Sequence, residues 1–255
     1  MRKTFLIFIY TFSICFLFGQ SDDQEIWTTW YLKPLHGKTK QLEKGIIDHV
    51  KKHHGQGGWP EYYFEILSGP NQGSFAGWSG PHTWKAFDER VRSQADVRHW
   101  NQYVAPYADM SNDKGTSFLI MHKDLKYGPD SAPEYYHLSW NMTYPGTGGQ
   151  YKKIARTSKQ VKESTDSKNY HTIYQVVSGN NPDAWLWEYP INSMEELSMS
   201  TGASGASDIK KVLGEEGAKE FWELYRNTVR SRVREIHKLR SDMSTPVDTS
   251  KTEEN

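Results

Sequence analysis

The stretch EYYFEILSGPNQGSF, residues 61–75, is answered 110 residues later (61 to 171) by HTIYQVVSGNNPDAW, residues 171–185. In each, a run of ring and β-branched residues meets a Ser-Gly pair, crosses a polar loop and enters a second aromatic run. That pattern predicts a β-hairpin, because branched and aromatic residues suit a pleated surface while Gly, Pro and Asn supply the turn. Trp30 and Trp140 repeat at the same spacing ahead of it. A period this long is the length of a small domain, not of a solenoid repeat. The chain reads as a tandem duplication, so each copy serves as a comparison for the other.

Outward from the first hairpin, Ile26 to Leu32 alternates and predicts a strand, which Pro34 and Gly37 end. Leu42, Ile46, Ile47 and Val50 recur at helical spacing from Thr39. Trp84, Phe87, Val91 and Ala95 predict a second helix, continuing or restarting through Trp100 to Tyr107, and Ser117 to His122 a fourth strand. The second copy predicts strands over Glu134 to Thr143, Tyr170 to Val177, Ala184 to Tyr189 and Arg232 to Leu239. Helices are expected over Gln150 to Ser164 and Glu216 to Arg230, and an insertion from Ser198 to Ser207 lengthens this copy. Each copy therefore runs β-α-β-β-α-β, the order of a ferredoxin-like unit with both helices on one sheet face.

The ends read differently. Met1-Arg2-Lys3, an apolar run from Thr4 to Phe18 and a polar Ser21-Asp22-Asp23 predict a secretory signal peptide over residues 1–20. Secretion or a periplasmic location follows. The only cysteine, Cys15, lies inside that run, so the mature chain is expected to have no disulfide and no thiol chemistry. The first domain is expected over 25–126, the second over 134–243, and a disordered tail over 244–255. Lys plus Arg equals Asp plus Glu at 31 each, so no global field favours nucleic acid or an anionic membrane. Aromatics make up 14% of the chain, with ten Trp and fifteen Tyr, and such rings build cores and line ligand sites.

A sheet covered by helices on one face leaves a ring-rich face open, so two antiparallel sheets are expected to pack face to face as an α/β barrel. With this element order, the duplicated aromatic strand openings and the ending Ile236-His237-Lys238-Leu239-Arg240-Ser241-Asp242-Met243-Ser244, the chain resembles the dimeric α/β-barrel group. That group includes NIPSNAP-like and antibiotic-biosynthesis monooxygenase-like proteins. The resemblance implies a fold hosting cofactor-independent oxygenases, haem enzymes and isomerases, so it leaves the activity open.

Strand parity nominates the site. Thr28, Trp30 and Leu32 match Leu138, Trp140 and Met142, which predicts a helix-facing set. The opposite parity, Trp27, Thr29 and Tyr31 against His137, Ser139 and Asn141, is then the open face. Glu65 and Gln175 join it from the second strands; Trp78, Trp185, Trp187 and Glu188 come from the third. The ligand-binding set is thus Tyr31, Glu65, Trp78, Asn141, Gln175, Trp185, Trp187 and Glu188, with His137 or His171 as a proton-accepting base.

No metal is expected: His49, His53 and His54 read as a solvated helix end beside Lys51 and Lys52. No cofactor is nominated either. Haem, which the resemblance admits, needs an axial ligand, and no spacing among ten histidines singles one out. No phosphate loop or serine-nucleophile elbow is present. The leading expectation is a secreted protein that binds a small, partly apolar ligand in the barrel or on an open sheet face. The alternatives are a cofactor-independent monooxygenase- or isomerase-type enzyme and a structural module whose aromatic faces serve homo-oligomerisation.

Overall fold

Ser-Gly pairs end the second strand of each half, and their geometry explains how the sheet closes. The computed structural model describes residues 24–55, 59–112, 115–130, 133–197 and 203–246. The strands are β1 (Glu25–Leu32), β2 (Tyr62–Ser68), β3 (Phe75–His82), β4 (Ser117–Met121), β5 (Tyr135–Thr143), β6 (Thr172–Ser178), β7 (Ala184–Ile191) and β8 (Val229–Leu239). They form one closed barrel in the order β1-β3-β2-β8-β5-β7-β6-β4, with every neighbouring pair antiparallel. Counted within each half, the strands stand fourth, first, third, second. The halves meet at two seams, β2 with β8 and β4 with β6. The two expected sheets therefore do not stack as separate layers: they share their edges, and the barrel closes within one chain.

Each seam passes a repeated Ser-Gly. Gly69 (φ +93) and Gly179 (φ +117) hold conformations that L side chains rarely adopt. A Cβ at Gly69 would lie 2.5 Å from the Arg234 carbonyl oxygen on β8, and one at Gly179 would lie 2.4 Å from Ser117 Oγ on β4. Ser68 Oγ also accepts from Ile236 N (3.1 Å). The sequence repeat thus marks where the second strand of each half meets the fourth strand of the other.

Helices cover the outside. In α1 (Thr39–His53), buried Leu42, Ile46 and Val50 recur one turn apart and pack on Leu32, Tyr63 and Phe75. Ser93 Oγ accepts from Asp96 N (3.1 Å) and starts α3 (Gln94–Tyr103), separating it from the short α2 (Trp84–Glu89). Over the second half lie α4 (Gly148–Ser164) and α5 (Ala203–Thr228), the latter broken at Gly214 (φ +73) and starting earlier than its periodicity predicts. Among the described residues no helix is long and apolar enough to cross a membrane.

Four expectations need correction or lie out of reach. The signal peptide falls outside the described residues, as does most of the tail. The tail's start is nevertheless ordered: Thr245 N donates to the Glu61 carbonyl (2.8 Å) and Thr245 Oγ1 to the His54 carbonyl (2.6 Å). Two of the three histidines at the end of α1 are not solvated. His49 and His54 are buried beneath Trp100 and the Thr245 segment.

The parity of β5, β2 and β6 is also reversed. Trp27 and Tyr31 point into the barrel, as expected, but so do Leu138, Trp140 and Met142, whereas Tyr63 faces the helices and Phe64 and Ile66 face inward. Equal spacing did not mean equal face. Trp30 pairs with Gly77, and the residue 110 beyond Gly77, Trp187, pairs with Ser139 and not with Trp140. The first strands are offset by one residue relative to the hairpins, and a one-residue slip moves every side chain to the other face. Large and small partners have changed places: Trp30 lies where a Cβ on Gly77 would come within 2.2 Å of it, while Ser139 leaves room for Trp187.

Candidate active site in the barrel

Alternation along the strands lines the barrel with rings. Trp27, Trp78 and Tyr174, from β1, β3 and β6, meet with centroids 5.8–6.4 Å apart in edge or tilted contacts. They leave a cavity of about 560 Å³ at one end of the barrel, also walled by Tyr62, Phe64 and Tyr136, with residues 244–246 at its mouth. That volume suits a small organic ligand.

Glu188 is the carboxyl that the barrel's inner face brings to this wall. It comes from β7, opposite Leu138, at the position where the first half has Trp78. No hydrogen bond to its carboxyl exists among the described residues, and Lys126 near the mouth, itself paired with Asp130, is the cation that acts on it. Burial among rings pushes the carboxyl up to about 7, against the weaker opposing pull of Lys126. The Nε1–H of neighbouring Trp27 is itself fully buried, with no partner among the described residues. One carboxyl, pushed up to about 7 by burial, thus stands in the wall of a mostly apolar cavity.

Deeper in the barrel a second carboxyl has both oxygens engaged, although His237 Nδ1 beside it has no partner among the described residues. Glu235 and His237, two apart on β8, both point inward and are buried. Glu235 Oε2 accepts from Tyr31 OH (3.2 Å) and His237 Nε2 (3.0 Å), and its Oε1 accepts from Asn71 Nδ2 (2.6 Å). Burial alone would raise this carboxyl, but the bonds from His237, Asn71 and Tyr31 outweigh it and hold it below the usual range. Alternation in Glu235-Ile236-His237 is the sequence signal for this inward pair, which the expectation of a plain closing strand does not include.

Of the residues nominated by sequence, Tyr31, Trp78 and Glu188 are inside the barrel. Glu65, His137, Asn141, Gln175, Trp185 and Trp187 are on the outer wall. Asn141 Oδ1 accepts from Tyr225 OH on α5 (3.1 Å), Gln175 Oε1 meets His122 Nε2 (3.3 Å), and Trp187 Nε1 donates to Tyr151 OH (2.6 Å). His137 stacks on Tyr189 (5.7 Å), and burial, with Arg234 and Arg232, lowers it to about 4. His171 reaches the cavity rim while its ring packs on Trp187 (4.7 Å). Its Nε2 meets the Leu125 carbonyl (3.1 Å) and therefore carries the hydrogen, so Nδ1 accepts from Lys162 Nζ (2.8 Å).

Haem can be tested against this geometry. The cavity's histidine, His171, has both ring nitrogens engaged. A second cleft, between α4, α5 and the outer wall, includes Lys162, Tyr225 and Arg232 but no histidine, cysteine or methionine in its lining. The residues present do not offer haem a free axial histidine in either place.

No protein-family model matches the chain, and no curated protein matches it in sequence. Solved structures do. An anthrone oxidase-like protein superposes with a TM-score of 0.56 at 8% identity, covering 86% of this chain and 92% of that one. A candidate monooxygenase from Fusobacterium nucleatum gives 0.55 at 11% identity, covering 85% and 92%. A mutant chlorite dismutase from Candidatus Nitrospira defluvii, in complex with cyanide, gives 0.52 at 7% identity, covering 87% and 93%. Identities this low speak for architecture alone. Strand order, closure and these likenesses together give the chain the dimeric α/β-barrel fold, with its barrel completed by one polypeptide.

Proposed function

We propose that this protein binds a small, partly apolar molecule inside the barrel. The observation that carries the reading is the ring-lined cavity of about 560 Å³ with the unpaired Glu188 carboxyl in its wall. Rings supply dispersion and shape, and Glu188 fixes one polar end of the ligand. The probe we choose is 1-naphthol, an aromatic of suitable size bearing one hydroxyl. It should quench the fluorescence of Trp27 and Trp78, and Trp78→Ala should weaken that binding at least about tenfold. Equal affinity in the variant, or no quenching at any concentration, contradicts the reading.

A second reading makes the site catalytic, and the ionisation of Glu188 near 7 favours it. A base with that value accepts a proton from an activated C–H at neutral pH without holding it too tightly. Glu188 then takes the role that the sequence offered to His137 or His171. The carbanion left behind rearranges in an isomerase or reacts with dioxygen in a cofactor-independent oxygenase. Anthrone, whose methylene is acidified by its ring system, is a suitable test substrate: two hydrogens leave the methylene and dioxygen supplies the new carbonyl oxygen and one water. Oxygen uptake should fall about 100-fold or more in Glu188→Gln. Equal uptake in both proteins removes this reading and leaves the binding one intact.

Two expectations from the sequence belong to the same proposal. The cationic, apolar and then polar start supports export, which N-terminal sequencing of the mature protein tests. The repeated Ser-Gly seams and the common strand order of the halves support a tandem duplication of ferredoxin-like units.

A further inference from the structure

Outside the barrel wall, the end of α1, the start of α3 and the approach to β2 bring together His49, His54, Glu61 and Asp96. All four are buried, between 1% and 7% exposed. His49 Nε2 stands 3.2 Å from His54 Nε2 and 3.4 Å from Asp96 Oδ1, and His54 Nε2 stands 3.5 Å from Glu61 Oε1. Four ligands about 2.05 Å from a zinc ion, at tetrahedral angles, are about 3.3 Å apart. The three spacings match edges of such a tetrahedron, and His49, His54 and Glu61 each offer a ligand atom within 4.8 Å of the other two.

The groups behind the donors are arranged to aim them. His54 Nδ1 lies 2.8 Å from the Trp59 carbonyl, which only accepts, so that nitrogen carries the hydrogen and neutral Nε2 is left with a lone pair. Glu61 Oε2 accepts from Tyr63 OH (2.9 Å), which leaves Oε1 for the cluster. Asp96 is held by Arg92, whose Nε reaches Oδ2 and whose Nη2 reaches Oδ1, both at 3.2 Å. His49 Nδ1 faces His99 Nδ1 at 3.2 Å and can donate to it, which frees His49 Nε2 as well. Two imidazole lone pairs turned towards each other need a cation or a proton between them, and second-sphere bonds of this kind are how ligating histidines and carboxylates are oriented.

We propose that His49 Nε2, His54 Nε2 and Glu61 Oε1 bind one zinc ion, and that Asp96 Oδ1, 3.4 Å from His49 Nε2, turns in as the fourth ligand. The set is two neutral nitrogens and two carboxylates, closed on all four sides, so the ion is structural and ties α1 to α3 and β2. Its charge balances Glu61 and Asp96 in a buried place. His53 and His99, on the other side of His49, stay outside the set.

The test uses the protein stripped with a chelator and then titrated with Co²⁺ and Zn²⁺. One equivalent of Co²⁺ should produce the visible absorption of tetrahedral cobalt, and Zn²⁺ should abolish it. Zinc should also raise the thermal unfolding midpoint. Tyr63→Phe removes only the bond behind Glu61 and should weaken zinc binding about 10- to 100-fold. Glu61→Gln and His54→Ala should abolish the cobalt band, whereas His53→Ala should keep it. If the ligand variants do not fold, the wild-type and Tyr63→Phe titrations decide alone. No tetrahedral band and no zinc-dependent midpoint in the wild type overturns the proposal; loss of the band in His53→Ala, or unchanged affinity in Tyr63→Phe, overturns the assigned donor set.

Discussion

Glu188 and Glu235 stand on either side of Leu138, on β7 and β8, and both point into the barrel. They share a wall and differ in everything else. Glu235 accepts from three side chains, and its charge is held. Glu188 has no such partner and faces a cavity, so burial pushes its carboxyl up to about 7. The same residue type therefore serves two ends: one carboxylate is spent on the fold, and the other is left for a ligand. Environment, not identity, separates them.

The comparison can be broken most forcefully at Glu235. Glu235→Leu strands the His237 Nε2–H, the Asn71 amide and the Tyr31 hydroxyl, and should cost about 3–5 kcal/mol in urea unfolding. Next comes Glu188→Gln. The wild-type folded carboxyl binds its proton more tightly than the unfolded one, whose value is 4.5, so wild-type stability falls as pH rises from 4.5 to about 7. Removing that ionisation should stabilise the variant at pH 8 by up to about 3 kcal/mol and leave it unchanged at pH 4. Glu235 has the opposite sign: its contribution is full above the unfolded value and is lost as pH drops through its lowered folded one.

Tyr31→Phe removes one of the three bonds to Glu235 and should cost about 1 kcal/mol in the same unfolding assay. The smallest effect should come from His137→Ala. His137 lies on the outer wall, so the affinity for 1-naphthol should not change; a clear loss would mean that the ligand lies outside the barrel.

Much of this fold was legible in the sequence, and the limits were physical. Alternation and turn residues at 61–75 and 171–185 located the hairpins, and the apolar spacing of Leu42, Ile46 and Val50 located α1. Parity failed at β5, because Trp30 and Trp140 share a spacing but not a face. Nothing local distinguishes them: the face of Trp140 is fixed by its neighbours on β7 and β8, far away in sequence. Glu235 and His237 are a different case: their alternation is legible locally, but the partners that make them a buried pair, Tyr31 and Asn71, come from the other half. The histidines of α1 looked solvated because Glu61, Asp96 and Thr245, which bury and surround two of them, arrive from other elements.

The availability of Glu188 is best tested by a ¹³C NMR titration of protein labelled at the glutamate carboxyls. One resonance should titrate near 7, vanish in Glu188→Gln and shift when 1-naphthol is added. If every glutamate titrates below about 5, Glu188 is not the free carboxyl of a ligand cavity.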